Sequence, residues 1–201
     1  LHVGDAEAWA YALAQYLSSE LESANGVPVE VTFVAHSLGC RLILEVLRSK
    51  LENHQNNWQV RLVFLMAAAV PVRLVEYDER LCRAAITPTA SHVAYSPRDI
   101  VLQGPFRVGQ KFEPGSGLVP SAVGSWGEPM ELWTRRIGTR NGHGDYFTDP
   151  RTARHLADAL GLNVALEPES RDIGSRPAAI RAIESLPPPA TRAMPKRRIS
   201  G

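Results

Sequence analysis

Between Val29 and Arg48 the chain passes from an apolar run, through five residues centred on a serine, into an amphipathic helical pattern. Val29 to Val34 is rich in β-branched residues and nearly continuous in apolar character, which suits a parallel strand buried on both faces. Ala35-His36-Ser37-Leu38-Gly39 follows, and Cys40 to Arg48 then sets Leu42, Ile43, Val46 and Leu47 on one helical face. A strand passing into a helix begins an alternation that, continued along the chain, argues for an α/β architecture.

The rest of the chain keeps that rhythm. Ala6 to Ser23 predicts a helix, with Asp5 as its cap and Trp9, Leu13, Tyr16, Leu17 and Leu21 at helical spacing. Asn25-Gly26-Val27-Pro28 breaks it, Ser49 to Asn57 reads as a polar connection, and Val60 to Ala69 is the next strand. Arg73 to Ala85 carries a weak helical pattern, and His92 to Ser96 is a short strand ending at Pro97-Arg98-Asp99. Gly104 to Pro129, rich in Gly and Pro, reads as a long loop, either functional or disordered. Glu131 to Ile137 is a further strand. Asp149 to Leu160 closes the domain as a helix, with Asp149 as cap, Pro150 in the first turn and Gly161 past the end. The expected fold is a mainly parallel sheet with right-handed crossovers and helices on both faces. One domain covers residues 1–163. A Pro- and Arg-rich tail, 164–201, reads as disordered.

The strand–serine–helix segment has the layout that serine chemistry wants. A serine hydroxyl is a poor nucleophile until a base activates it, and a sharp turn lifts its oxygen clear of the sheet. Small residues two positions either side, Ala35 and Gly39, would relieve the crowding of such a turn. The N–H of Leu38, unpaired at the helix start, can donate to a developing oxyanion, with the helix dipole adding to it. The competing reading is that Ser37 only caps the following helix.

This segment resembles the nucleophile elbow of the α/β-hydrolase family, with Ala35 where the G-x-S-x-G pattern has its first glycine. A Ser-x-x-Asp-x-x-Leu segment around Asp99 and the Gly142-His143-Gly144-Asp145-Tyr146-Phe147 segment resemble an uncharacterised bacterial subgroup of that family. The likeness runs from about Ala6 to Leu160. It implies the α/β-hydrolase fold and the order nucleophile, acid, base: Ser37, Asp99 and His143. His143 would then act as general base and Asp99 would orient its imidazole. Asp78, Asp145 and Asp149 compete for the acid, Asp145 lying too near His143 in sequence and Asp149 being better used as the cap. His155 reads as a surface residue, His92 as structural, and His2 and His54 as residues of polar segments. His36 lies inside the elbow, pointing away from the hydroxyl; it either lines the site as a substrate-binding residue or packs beneath it. The resemblance also implies several strands and a second oxyanion donor ahead of the elbow. Nothing before Ser37 matches, so the expectation is a domain whose N-terminal part precedes Leu1.

Composition bounds the function. A net charge of +1, with no basic–aromatic stripe in the globular part, argues against a nucleic-acid partner. The longest apolar run, Leu62 to Val72, contains Pro71 and is too short for a span of about 20 residues. No basic-then-apolar leader is visible; the visible sequence favours the cytoplasm but leaves the localisation open, since it begins with Leu1 rather than Met. Cys40 and Cys82 make no disulfide framework and read as small buried hydrophobes. No metal-ligand spacing, phosphate loop or dinucleotide fingerprint appears, so no cofactor and no metal is expected. The leading expectation is an esterase or lipase-like serine hydrolase working on a small-molecule ester or lipid substrate, with Phe106, Phe112 and Trp126 either covering an acyl pocket or packing their loop. A thioesterase, acyltransferase or peptidase would use the same residues. A non-catalytic hydrolase-like binding module or an inactive fragment is the reading from a different class. The sequence leaves the oligomeric state open.

Overall fold

The computed structural model describes residues 3–21, 27–54, 56–110 and 121–162. Four strands form one all-parallel sheet in the order β1 (Val29–His36), β2 (Trp58–Met66), β3 (Ala90–Tyr95) and β4 (Arg135–Gly138). The helices are α1 (Val3–Glu20), α2 (Leu38–Glu52), α3 (Cys82–Ile86), α4 (Ile100–Gln103), α5 (Pro105–Gln110), α6 (Val123–Trp126) and α7 (Pro150–Leu160). The chain is therefore of the α/β class.

The period-two alternation of β2 splits the core into two layers. Val63 and Leu65 pack with Ala10, Ala14, Leu44, Leu47 and Val75 on the face that carries α1, α2 and α3. Phe64 and Met66 point the other way, to Ala94, Leu102, Ile137 and Tyr146, with Leu156 and Ala159 of α7 laid over them. Helices thus cover both faces.

Neighbouring strands explain several differences from expectation. β1 lies outermost among the described strands, and most of its residues are half-buried; the strand buried on both faces is β2. β2 ends at Met66 rather than Ala69 because Ala67 turns left-handed, at φ 46°. α1 starts at Val3, so Asp5 falls inside its first turn rather than capping it. Its buried contacts are Ala10 and Ala14, while Trp9 and Tyr16 face outward, 65% and 59% exposed. Small residues one turn apart let α1 approach α2 closely, and the aromatics take the outer side.

α2 continues past Arg48 because polar residues find partners along it. Arg48 donates to Glu45 at 2.9 Å and to Glu52 at 2.8 Å, one turn away on either side. Glu45 is fully buried and is also bonded by Arg80. Lys50 covers Trp58, its ammonium 5.0 Å from the ring centre. The amide of Asn57 donates to the carbonyls of Ser18 and Leu21, which ties the end of α1 to the start of β2.

The expected loop 104–129 contains α5 and α6, with residues 111–120, and so Phe112, outside the described residues. Phe106 packs onto the second core layer, whereas Trp126 is half-exposed. β4 is shorter than expected because Met130–Leu132 forms a 3-10 turn. Between Arg73 and Ala85 the weak pattern resolves into a 3-10 turn at Val72–Leu74 and the short α3. α7 begins and ends as its sequence reads: Asp149 accepts from Arg151 and Thr152, and Gly161 is left-handed at φ 72°. The expected tail 164–201 lies outside the described residues, as do Asn25 and Gly26 of the expected break.

α6 is a spacer between strand ends, and Gly124 makes it possible. A Cβ there would lie 2.3 Å from Ala68 N and 2.5 Å from Ala67 C. Both contacts are backbone, which cannot step aside as a side chain can. Gly124→Ala is expected to cost about 1–3 kcal/mol through overpacking, read as a lower urea midpoint at unchanged slope. An unchanged midpoint would contradict the close approach.

His92 on β3 and His155 on α7 share the second layer with Arg135. Burial lowers both pKa values from the ordinary 6.5, and repulsion from Arg135 adds to this. As pH falls, the folded chain takes up these protons later than the unfolded chain. The stability they allow is intact above 6.5 and is lost as pH drops through the lowered folded values. The melting temperature is expected to fall between about pH 7 and 5.5, with a shallower slope in His92→Gln. A slope identical in the variant would assign the loss elsewhere.

Candidate active site

All four strands are parallel, so their C-terminal ends lie along one edge of the sheet, where α/β proteins place their ligands. Ser37 directly follows β1, Asp99 follows β3 by a short turn, and His143 follows β4. Three residues distant in sequence thus come to one edge.

Ser37 adopts φ 54° and ψ −124°, a strained conformation for a residue with a side chain. Three backbone bonds hold it there. Its N–H donates to Met66 O at 3.0 Å, and its carbonyl accepts from Ala69 N and Cys40 N, each at 3.1 Å. Ser37 precedes α2 without a side-chain capping bond, so its hydroxyl is not used as a cap. Instead Ser37 Oγ lies 2.9 Å from His143 Nε2. Ala35 is buried, as the crowding of the turn requires. Gly39 is different: outside its own helix and its immediate neighbours, a Cβ there would meet nothing within 4 Å. Packing among the described residues does not demand glycine at that position.

His143 Nδ1 lies 2.8 Å from Asp99 Oδ2. Asp99 is fully buried, whereas the His143 side chain is 21% exposed. The other carboxylate oxygen of Asp99, Oδ1, accepts from Val101 N and Leu102 N, each at 3.1 Å. Asp99 therefore caps α4 with one oxygen and holds His143 with the other. The turn before it is set by Ser96, whose Oγ accepts from Arg98 N and whose N–H donates to Gly124 O.

The remaining candidates fall outside this chain of bonds. Asp145 Oδ2 accepts from Gly142 N at 2.8 Å, so its carboxylate shapes the turn that carries His143. Asp149 caps α7, and Asp78 occupies a left-handed turn. His36 Nε2 lies 2.6 Å from the carbonyl oxygen of His143. Its ring also lies 4.9 Å from the ring of His143. Leu38 opens α2, so its N–H lies in the first turn, where no preceding turn supplies an acceptor. The described residues before β1 are α1, Leu21 and the pair Val27–Pro28.

Comparison with family models, with curated proteins and with solved structures found no match. The reading of the site therefore rests on its own geometry.

Exposed apolar side chains flank the three residues in sequence: Leu38 beside Ser37, Ile100 and Val101 beside Asp99, and Phe147 four residues after His143. Among the described residues no group of three or more His, Cys, Asp or Glu could hold a metal ion, and no helix is long and apolar enough to cross a membrane.

Spacing alone missed the segment Ala67 to Val70. Ala67 N donates to Ala94 O, Ala69 N to Ser37 O, Gly124 N to Ala68 O and Val123 N to Val70 O. This strip joins the end of β2 to the ends of β1 and β3. The run Ala67-Ala68-Ala69 was the available signal, since small residues mark places where backbones approach.

The thiols separate. Cys40 is fully buried, its Sγ 3.4 Å from Met66 O. Burial pushes its pKa up to about 12 against the opposing backbone bonds. Cys82 is only partly buried, contrary to expectation. Iodoacetamide at neutral pH should modify Cys82 before Cys40, with Cys40 reacting only on unfolding. Mass mapping checks this, and modification of folded Cys40 at the rate of Cys82 would contradict it.

Proposed function

We propose that the chain is a serine hydrolase of the α/β-hydrolase fold that cleaves carboxylic esters through an acyl-enzyme. The observation that carries this reading is the unbroken series Ser37 Oγ, His143 Nε2, His143 Nδ1 and Asp99 Oδ2, with separations of 2.9 Å and 2.8 Å across its two hydrogen bonds.

Each role follows from a stated feature. His143 Nε2 accepts the Ser37 hydroxyl proton as Oγ attacks the ester carbonyl. The carbonyl oxygen becomes an anion beside the first turn of α2, where Leu38 N–H donates. The buried Asp99 carboxylate stabilises the imidazolium and fixes the tautomer that leaves Nε2 free to accept. His143 then gives its proton to the leaving alkoxide, the carbonyl–alkoxide bond breaks, and the acyl group remains on Ser37. Water, deprotonated by the same imidazole, releases the acid and restores the hydroxyl.

Burial supports this division of labour. An acid out of water beside a partly exposed base directs its charge to the imidazole, and a strained serine is the state expected where a nucleophile is held ready. The apolar side chains Leu38, Ile100, Val101 and Phe147 favour an ester with an apolar acyl or alkyl group.

The test is labelling with a fluorophosphonate probe, paired with hydrolysis of p-nitrophenyl acyl esters and of acyl thioesters. Wild type should label at Ser37, and Ser37→Ala should not. His143→Ala and Asp99→Ala should label at least about 100-fold more slowly. A folded wild-type protein that neither labels nor turns over any ester or thioester would overturn the reading in favour of a non-catalytic module.

A further inference from the structure

His143 sits between Gly142 and Gly144, the two residues of widest backbone freedom that could flank it. A base that must meet Ser37 Oγ to within about 0.5 Å cannot take its position from such a turn alone. Besides the Asp99 bond to the ring and the backbone bond from Asp145 N to Gly142 O, two side-chain contacts hold the main chain of this turn. The first is local: the Asp145 carboxylate accepts from Gly142 N at 2.8 Å and closes the turn on itself. The second spans the molecule: His36 Nε2 meets the carbonyl oxygen of His143 at 2.6 Å.

A carbonyl only accepts, so His36 Nε2 must carry the hydrogen and donate it. The ring that donates is held from several sides. It lies 4.9 Å from the ring of His143, 5.2 Å from that of Phe147 and 6.1 Å from the buried ring of Tyr146. His36 is also the last residue of β1 and the immediate neighbour of Ser37. The stretch of backbone that lifts the nucleophile therefore also anchors the backbone of the base. Ser37 and His143 are joined twice, once through their reacting atoms and once through His36 to the main chain.

Resting on the proposed function, we infer that His36 is a positioning residue: its Nε2–H clamps the His143 turn to the nucleophile elbow and sets the distance for proton transfer. It acts through His143 and does not touch the substrate. Removing it frees the glycine-flanked turn while leaving Ser37, Leu38 and the apolar side chains around them in place. The loss then falls on the chemical step.

The test compares His36→Leu, His36→Gln and His36→Asn in p-nitrophenyl butyrate hydrolysis, with thermal melts to verify folding. Leu has no donor. The terminal amide nitrogen of Gln reaches about as far as Nε2 of histidine, while that of Asn reaches only as far as Nδ1. His36→Leu should lower kcat by about 10- to 100-fold, with KM within about twofold of wild type for lack of a substrate contact. His36→Gln should recover most of that loss, and His36→Asn should not. A raised KM at unchanged kcat would make His36 a substrate contact and overturn the proposal. Gln and Asn equally impaired in folded proteins would also overturn it, since the effect would then not depend on a donor at that reach.

A readout without turnover separates this proposal from the functional reading. In protein carrying 15N-labelled histidine, the Nδ1–H resonance of His143, bonded to Asp99, should be sharp in wild type and His36→Gln. In His36→Leu it should broaden or disappear. If wild type shows no esterase activity but this pattern appears, the clamp stands and the catalytic reading falls. If the resonance is indifferent to His36→Leu, the clamp falls, whatever the activity.

Discussion

The backbone of Ser37 is held left-handed between the ends of two strands, and most of the site depends on that arrangement. Its N–H donates to Met66 O at the end of β2, and its carbonyl accepts from Ala69 N in the segment that follows. A non-glycine residue at φ 54° stores strain that only surrounding structure can offset. The offset comes from a strip that is itself pinned. Ala67 bonds to β3 at Ala94, and Ala68 and Val70 bond to α6. Loosening α6 would therefore reach the serine through the backbone, with no side chain of the site disturbed.

The same edge explains how one carboxylate serves two purposes. Asp99 must be buried to act on His143, and a buried carboxylate needs its lone pairs occupied. Oδ1 takes the two backbone N–H groups that open α4, and Oδ2 takes the imidazole. The helix cap is thus part of what makes the burial tolerable. Asp145 illustrates the contrast. It lies two residues from His143 in sequence yet is exposed, and its carboxylate is spent on the turn. Charge and proximity along the chain did not choose between them; the path of β3 did.

Much of the architecture was legible because local chemistry and tertiary contacts agreed. The cap, proline and glycine of α7 stand where their preferences put them. Disagreement arose where a neighbour's contribution outweighed the local pattern. Trp9 and Tyr16 have helical spacing, but α1 meets α2 through Ala10 and Ala14, so the aromatics lie outside. Ser49 to Glu52 look like a polar connection, yet ion pairs along the helix and the Trp58 ring beneath Lys50 carry α2 onward. Gly39 looked like a packing necessity and meets open space.

By itself the sequence determined that a strand would run into a helix through a serine turn, because β-branched residues, small residues and amphipathic spacing all act over a few neighbours. It also singled out Asp99 and His143, through resemblance and order along the chain. Only the tertiary structure decided that these side chains meet each other and Ser37, since hydrogen bonds spanning 44 and 106 residues depend on strand order and twist rather than on local preference. For the same reason the partner of the His36 ring, the backbone carbonyl of His143, was not legible in the sequence: what a ring donates to is settled by whatever carbonyl the folded chain brings within reach.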